Sequence, residues 1–335
     1  MHKSKAYDTA VVLLNYNGRH WLEKFLPVLV KNTPGAHLYV IDNGSTDDSR
    51  TFLARHFPDI TRIDLDKNYG FAGGYNRGLE KVNEPYVVLL NTDVEVSPGW
   101  LEPLRRRLLS EPGIVAVQPK ILDYHQKDCF EYAGAAGGFL DFFGYPYCRG
   151  RVSEVREKDA GQYDRSYDVQ WTSGACMLVR KEDFLSSGGF DEDFFAHQEE
   201  IDWCWRMRRA GRRLVYEPES RVWHAGGGSL AYGHPQKTFL NFRNNLRMLL
   251  KNLPGVLVFP VIFVRLFLDG VAGLRFLLQG KPAHTWAIVR AHWAFYASIP
   301  AYVRKRGGKY LRHYYEHVFF ALIPKRKQYT CPAKK

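Results

Sequence analysis

The groups in this chain most able to do chemistry sit in three acidic or amide-rich turns, and each turn follows a short apolar run. Val87-Val88-Leu89-Leu90 ends in Asn91-Thr92-Asp93, Leu38-Tyr39-Val40-Ile41 ends in Asp42-Asn43-Gly44-Ser45, and Ala10-Val11-Val12-Leu13-Leu14 ends in Asn15-Tyr16-Asn17-Gly18. In an open α/β sheet, ligands bind beyond the carboxyl ends of the strands. A carboxylate there, such as Asp93, can hold a divalent metal, and Mg²⁺ favours one or two carboxylates combined with substrate phosphates. Ordinary surface turns use the same residue types. What points to a site is the expectation that all three turns share one sheet edge.

Further along, Glu199, Glu200 and Asp202 place three carboxylates within four residues at a helix start, beside His197. Clustered like charges raise the pKa of at least one member, which suits a general base. Acids in a first turn also complement the helix dipole, and Glu199 alone would be explained that way. Val222-Trp223-His224 ends a strand-like run just before the loop Gly226-Gly227-Gly228-Ser229. A lone histidine is more often structural, but one facing Asp93 becomes a second metal ligand. The glycine-rich stretch from Asn68 to Gly78 matches neither a P-loop nor a dinucleotide fingerprint, because it follows the third strand rather than the first. Its glycines would instead let a helix N-terminus approach a nucleotide closely.

The elements that must position these groups alternate. Strands at 10–14, 38–41, 60–65 and 86–90 are separated by helical patterns at 22–31, from 46 onward and at 74–82. This rhythm predicts a mostly parallel sheet covered on both faces. Short strands follow at 114–117 and 175–179, with a Gly- and Tyr-rich excursion over 134–168 that reads as a hairpin or flap, and a helix over 199–210. From 236 the chain changes character. A helical pattern over 239–251 leads into an apolar stretch over 256–278 that is interrupted by Pro260, Arg265, Asp269 and Arg275. The longest clean run, Val256 to Val264, falls short of the roughly 20 residues of a membrane span. Amphipathic helices lying on a membrane surface are therefore expected, with a helical lid on the catalytic domain as the alternative. Basic residues at 325–327, 334 and 335 suit an anionic surface.

The 335 residues carry a net charge of +12, with pI near 9.4, which favours nucleic acid, anionic lipid or phosphorylated substrates as partners. Five scattered cysteines without a C-x-x-C pair argue against a zinc site or a disulfide framework and for a reducing compartment. Met1 to Asp8 is short and polar, with no apolar segment of a signal peptide.

Taken in order, Asn15-Tyr16-Asn17, Asp42 to Ser45, Asn68 to Gly78, Asn91-Thr92-Asp93, the 199–202 cluster and Trp223-His224 resemble the inverting family 2 glycosyltransferases, over about residues 8–235. The likeness is to the rhamnosyltransferase-like bacterial branch that builds surface polysaccharides. It implies a GT-A fold, an α/β architecture with a Rossmann-like mixed sheet, as a catalytic domain over 1–235. Residues 236–335 would then form an amphipathic, membrane-associating helical extension. The resemblance implies that Asp42 contacts the nucleotide base or ribose, with Asn15, Asn43 and Ser45 in the same pocket. Asn68, Gly70 and Asn76 would border nucleotide and donor sugar, with Asn91 and Thr92 beside them. Asp93 would hold Mg²⁺ or Mn²⁺ with His224, and Glu200 would be the base, with Glu199 adjacent and Asp202 as the fallback. Two departures stand out: Asn91 replaces the first Asp of the D-x-D motif, and Glu200 replaces the usual catalytic Asp.

The implied reaction moves a sugar from a nucleotide-sugar, dTDP-rhamnose being one candidate, to a polysaccharide or polyprenyl-linked glycan acceptor. The enzyme would sit in the cytoplasm, attached peripherally to the inner face of the cell membrane. A sugar nucleotidyltransferase would want a Gly-rich basic signature after strand one, where this chain has Asn15-Tyr16-Asn17-Gly18. A nucleic-acid-binding protein would want a basic, aromatic-lined groove in a recognisable module, and no such motif is visible. A degenerate, non-enzymatic scaffold is argued against by the retained Asp93, His224 and acidic cluster.

Overall fold

The computed structural model describes residues 7–152, 155–226, 233–307 and 331. Gly227, Gly228 and Ser229, residues 1–6 and the basic tail positions lie outside the described residues. The first half is regular: β1 (Thr9–Asn15), α1 (Arg19–Asn32), β2 (His37–Asp42), α2 (Ser49–His56), β3 (Thr61–Asp64), α3 (Gly70–Leu79) and β4 (Tyr86–Asn91). β1 lies between β2 and β4, parallel to both, and β3 adds parallel to β2. The strands are continuous apolar runs because both sheet faces are covered, and Ala10, Val11, Val12, Val40, Ile41 and Val87 to Leu90 are fully buried. Register pairs Asn15 with Asp42 and Leu14 with Asn91. The three turns therefore leave the sheet at one edge, as their sequence pattern predicts.

Helix α3 begins at Gly70 rather than near 74, so the glycine run is helix rather than turn. Beyond β4 come β5 (Val94–Val96), α4 (Leu101–Ser110) and β6 (Ile114–Asp123), then the short strands β7 (Gly138–Leu140), β8 (Pro146–Cys148), β9 (Arg151–Val152), β10 (Val155–Arg156) and β11 (Tyr167–Asp168). The chain continues through β12 (Cys176–Arg180), α5 (Lys181–Ser186), a 3₁₀ turn at Glu192–Phe194, α6 (Glu199–Arg209) and β13 (Arg213–His224). The main sheet runs β11-β13-β6-β12-β4-β1-β2-β3, with β5 paired to β13. β12 is antiparallel to both β4 and β6, so the sheet is mixed rather than mostly parallel. The excursion over 134–168 carries a small antiparallel sheet of β7 to β10.

Cys129 and Cys331 form a disulfide, while Cys148, Cys176 and Cys204 are buried free thiols. This corrects the expectation of no disulfide. The partners are 202 residues apart, so no local spacing announces the pair.

Three helices close the described chain: α7 (Pro235–Asn252), α8 (Gly255–Leu278) and α9 (Pro282–Arg304). α7 packs on α6, α8 and α9. α8 runs unbroken past Pro260, Arg265 and Asp269, and by length and composition it could cross a membrane. The apolar element is thus longer than the clean run Val256 to Val264 suggests. Its interrupting charges do not break it because Arg265 and Asp269 are buried and paired with each other at 3.3 Å.

Candidate active site

A cavity of about 620 Å³ opens at the edge where β1, β2 and β4 end. Of the residues singled out in the sequence, Asn43, Asn68, Gly70, Asn91, Thr92, Asp93, Glu199, Glu200 and His224 line it. Asn43 organises one corner of the cavity. Its side-chain amide donates to Gly70 O at 2.9 Å and to Asn68 Oδ1 at 3.1 Å, and its oxygen accepts from Tyr69 N at 3.0 Å. Gly70 is required on two counts. Its φ is +71°, and a Cβ would come within 2.4 Å of Phe195 O.

Five expected residues do not line the cavity: Asn15, Asp42, Ser45, Asn76 and Asp202. Asn15 donates to Asp42 Oδ2 at 3.2 Å and to Ser45 Oγ at 3.1 Å, and Asp42 Oδ1 accepts from Arg50 Nε at 2.6 Å. This buried cluster braces the turn behind the cavity wall. Asn76 bonds both backbone groups of Phe190, through Phe190 O at 2.8 Å and Phe190 N at 2.9 Å, which clamps α3 to the 190 loop.

The antiparallel pairing of β13 with β5 sets His224 opposite Val94, and so beside Asp93. His224 Nε2 lies 3.2 Å from Asp93 Oδ1, and Nδ1 lies 3.5 Å from Glu131 Oε1. Burial alone would favour the neutral imidazole, but the charges of Asp93 and Glu131 outweigh it and push His224 up to about 10. The proton held between two carboxylates marks a place that favours positive charge. One carboxylate and one imidazole on an open cavity wall fit Mg²⁺ or Mn²⁺, provided the donor's diphosphate and water supply the remaining ligands. Among the described residues no group of three His, Cys, Asp or Glu forms a self-sufficient metal cage. Glu131, beyond the imidazole, has the position of an orienting partner. Sequence reading missed it because it enters from a loop after β6 with no motif around it.

The acidic cluster is carried by a strained loop. Phe195, His197 and Gln198 adopt positive φ of 65°, 69° and 75°, a conformation costing about 1–3 kcal/mol per non-glycine residue. The side-chain amide of Asn244, on α7, donates to Phe194 O at 3.0 Å, Ala196 O at 3.0 Å and His197 O at 2.8 Å, and so holds that loop. Glu199 and Glu200 then open α6 facing the cavity, each with one buried carboxyl oxygen that no described residue contacts by hydrogen bond. Burial raises both carboxyls. Glu199 lies well above the usual range, with the Glu200 charge adding to the effect, and Glu200 is pushed up to about 7. His197 also lines the cavity, and burial pulls it down to about 3, so it is neutral.

Asp202 points elsewhere. It is fully buried and accepts from Asn252 Nδ2 at 2.7 Å, Lys251 Nζ at 2.9 Å and Arg206 Nε at 2.9 Å. Burial would raise its carboxyl, but Lys251 and Arg206 hold it near 2. It is absent from the cavity lining, and its geometry is that of a bolt between α6 and α7.

The far wall comes from the C-terminal region, including Lys237, Leu240, Phe242 and Asn245 of α7 and Arg265 of α8. These residues lie beyond the boundary expected at 235.

The chain is similar to known proteins in sequence and in fold. The N-acetylglucosaminyl-diphospho-decaprenol L-rhamnosyltransferase of Mycobacterium tuberculosis is 29% identical over 234 residues, 64% of this chain and 75% of that protein. The mannosyltransferase from Pyrobaculum calidifontis, solved with GDP-Man and Mn²⁺, superposes with TM-score 0.52 at 16% identity, over 89% of this chain and 88% of that one. GalNAc-T7, solved with UDP, GalNAc and Mn²⁺, gives TM-score 0.57 at 18% identity, over 73% of this chain and 48% of that one. These structures show the GT-A fold. Glycosyl transferase family 2 matches residues 10–184, which is more than half of the 335. The chain therefore belongs to glycosyltransferase family 2, on the side of its rhamnosyltransferase-like members.

Proposed function

We propose that the chain is a metal-dependent, inverting transferase that moves a sugar from a nucleotide-sugar to a hydroxyl of a lipid-linked glycan, a step in building cell-surface polysaccharide. The observation that carries this reading is that Glu200, at about 7, shares one cavity with the Asp93 and His224 pair. Membership of the family sets aside the nucleotidyltransferase and nucleic-acid-binding alternatives.

Asn43, Asn68 and the backbone at Gly70 border the donor, and Asp93 with His224 would hold Mg²⁺ or Mn²⁺. When bound, that ion supplies positive charge against the negative charge developing on the departing nucleoside diphosphate. Glu200 takes the proton of the acceptor hydroxyl as that oxygen forms its bond to the anomeric carbon. The bond from that carbon to the diphosphate breaks on the opposite face, and the configuration inverts. A carboxyl near 7 is ionised in useful fraction at neutral pH yet basic enough to accept the proton. Glu199, also raised by burial and by the neighbouring Glu200 charge, stands beside it. Asp202, near 2 and turned away from the cavity, is a poor base.

dTDP-rhamnose is the first donor to test and a sugar on a polyprenyl diphosphate the first acceptor, since the Mycobacterium relative is named for rhamnosyl transfer to such a lipid. The working place is the cytoplasmic face of the membrane. Binding of a panel of nucleotide-sugars with Mn²⁺ or Mg²⁺ identifies the donor. Glu200→Gln should abolish transfer and keep donor binding, whereas unimpaired turnover would overturn the assignment.

A further inference from the structure

We infer that α8 and α9 lie flat in the headgroup boundary of an anionic bilayer instead of spanning it, and that this seats the cavity one helix diameter from the lipid. The inference deepens the transferase reading and rests on it only for what the acceptor is. Phe259, Phe263, Phe267, Val271, Leu274 and Leu278 recur every three or four residues along α8, and each is more than half exposed. Such spacing lays a single stripe along one side of a helix. Trp286 and Trp293 on α9 are likewise 61% and 68% exposed. Apolar surface this continuous marks a protein or membrane interface.

Charge selects the membrane. Between 255 and 307 the one acidic residue is Asp269, which is fully buried, whereas Arg275, Lys281, Arg290 and Arg304 are exposed. A surface whose exposed charges are all basic, flanking an apolar stripe with tryptophans, fits anionic headgroups over acyl chains.

The opposite side of α8 excludes a span. Arg265 Nη1 donates to Phe143 O at 2.8 Å and also to Asn245 Oδ1, and the guanidinium lies 3.7 Å over the Tyr145 ring. Tyr145 donates to Asp269 at 3.3 Å, and His292 of α9 lies 3.3 Å from the other carboxylate oxygen. The middle of α8 is therefore fastened to the loop between β7 and β8 and to α7. A spanning α8 would drag that loop and its polar backbone to the bilayer centre, where unpaired polar groups cost several kcal/mol each.

Arg265 lines the cavity while Phe263 and Phe267 face outward from the same helix. The wall of the site is thus about 10–12 Å from the lipid-facing surface, the width of one helix. That distance suits an acceptor whose reacting sugar is joined directly to a lipid diphosphate.

The test uses the full chain, because removing α7 to α9 would also remove a wall of the site. Flotation with phosphatidylcholine vesicles, with and without phosphatidylglycerol, is measured for the wild type and for the triple variant Phe259→Glu, Phe263→Glu, Phe267→Glu. The wild type should bind only the anionic vesicles, release in high salt or alkaline carbonate, and show shallow quenching of Trp286 and Trp293 by brominated lipids. The triple variant should lose vesicle binding by about tenfold or more, while its circular dichroism and nucleotide binding stay unchanged. Resistance to carbonate extraction would show a span and overturn the inference, as would undiminished vesicle binding by the folded triple variant. Vesicle binding needs no turnover, so loss of nucleotide-sugar binding in the wild type would refute the transferase reading and leave this result standing.

Discussion

The Glu200 carboxyl sits on the cavity wall with one oxygen unpaired, and burial raises it from 4.5 to about 7. A carboxyl raised on folding is ionised more readily in the unfolded chain, so the folded state loses stability as pH climbs from the lower value to the upper and then levels off. A shift of that size corresponds to about 3 kcal/mol once the group is fully ionised. Partial exposure of the residue lowers the working figure to about 1–3 kcal/mol. Glutamine keeps the shape and removes the charge. Glu200→Gln should therefore silence transfer and also stabilise the fold, by less than about 1 kcal/mol at pH 5 and by about 1–3 kcal/mol at pH 8. Urea unfolding followed by tryptophan fluorescence measures this, since Trp203 and Trp205 are buried on the same helix. The wild type should lose stability between those pH values relative to the variant, and its kcat should rise through about 7 on the acid limb. Equal stability of the two proteins at both pH values, or normal turnover by the variant, would refute the reasoning.

Asp202→Asn should do the reverse. The Asp202 carboxylate is held near 2 by Lys251 and Arg206, so its contribution is complete at neutral pH and is lost only as pH falls through that value. The variant should lose about 2–4 kcal/mol in urea unfolding yet keep kcat within a few-fold, and a stable but inactive variant would make Asp202 the base. Asp93→Ala or His224→Ala should abolish Mn²⁺ binding in the presence of nucleoside diphosphate. Calorimetry of the wild type should detect little Mn²⁺ binding without nucleotide, and tight binding to the free chain would contradict a two-ligand site. Thiol titration of denatured protein prepared without reductant should find three free cysteines, Cys148, Cys176 and Cys204, and five would mean that Cys129 and Cys331 are not joined.

The strand-end half of the cavity was legible because its signals are local. An apolar run ending in Asn91-Thr92-Asp93 is both a strand and a turn at the strand's carboxyl end, and parallel neighbours align such turns automatically. The reversal at β12 was not legible, since a five-residue buried strand reads the same in either direction. Asn15, Asp42, Ser45 and Asn76 carried the right chemistry, but only tertiary structure shows that Arg50 and Phe190 occupy Asp42 and Asn76. Glu200 lines the cavity and Asp202 does not. Positions two apart on a helix lie about 200° apart, so one alone can face the cavity. Glu131 and Lys237 left no such trace, because each reaches the site from a loop or helix whose placement depends on distant contacts.

Asn244 gives the acid-bearing loop a partner outside its own stretch of sequence. The family match ends at 184, before the acidic cluster, before His224 and before α7. The loop at 194–198 and α7 are joined by Asn244 to Phe194, Ala196 and His197, by Arg243 to Phe194 and by Asn245 to Gln198. A chimera that imports another member's loop together with its own α7 keeps that joint intact and should change the acceptor without changing the donor. A chimera that imports either alone parts the amide from the three carbonyls it holds.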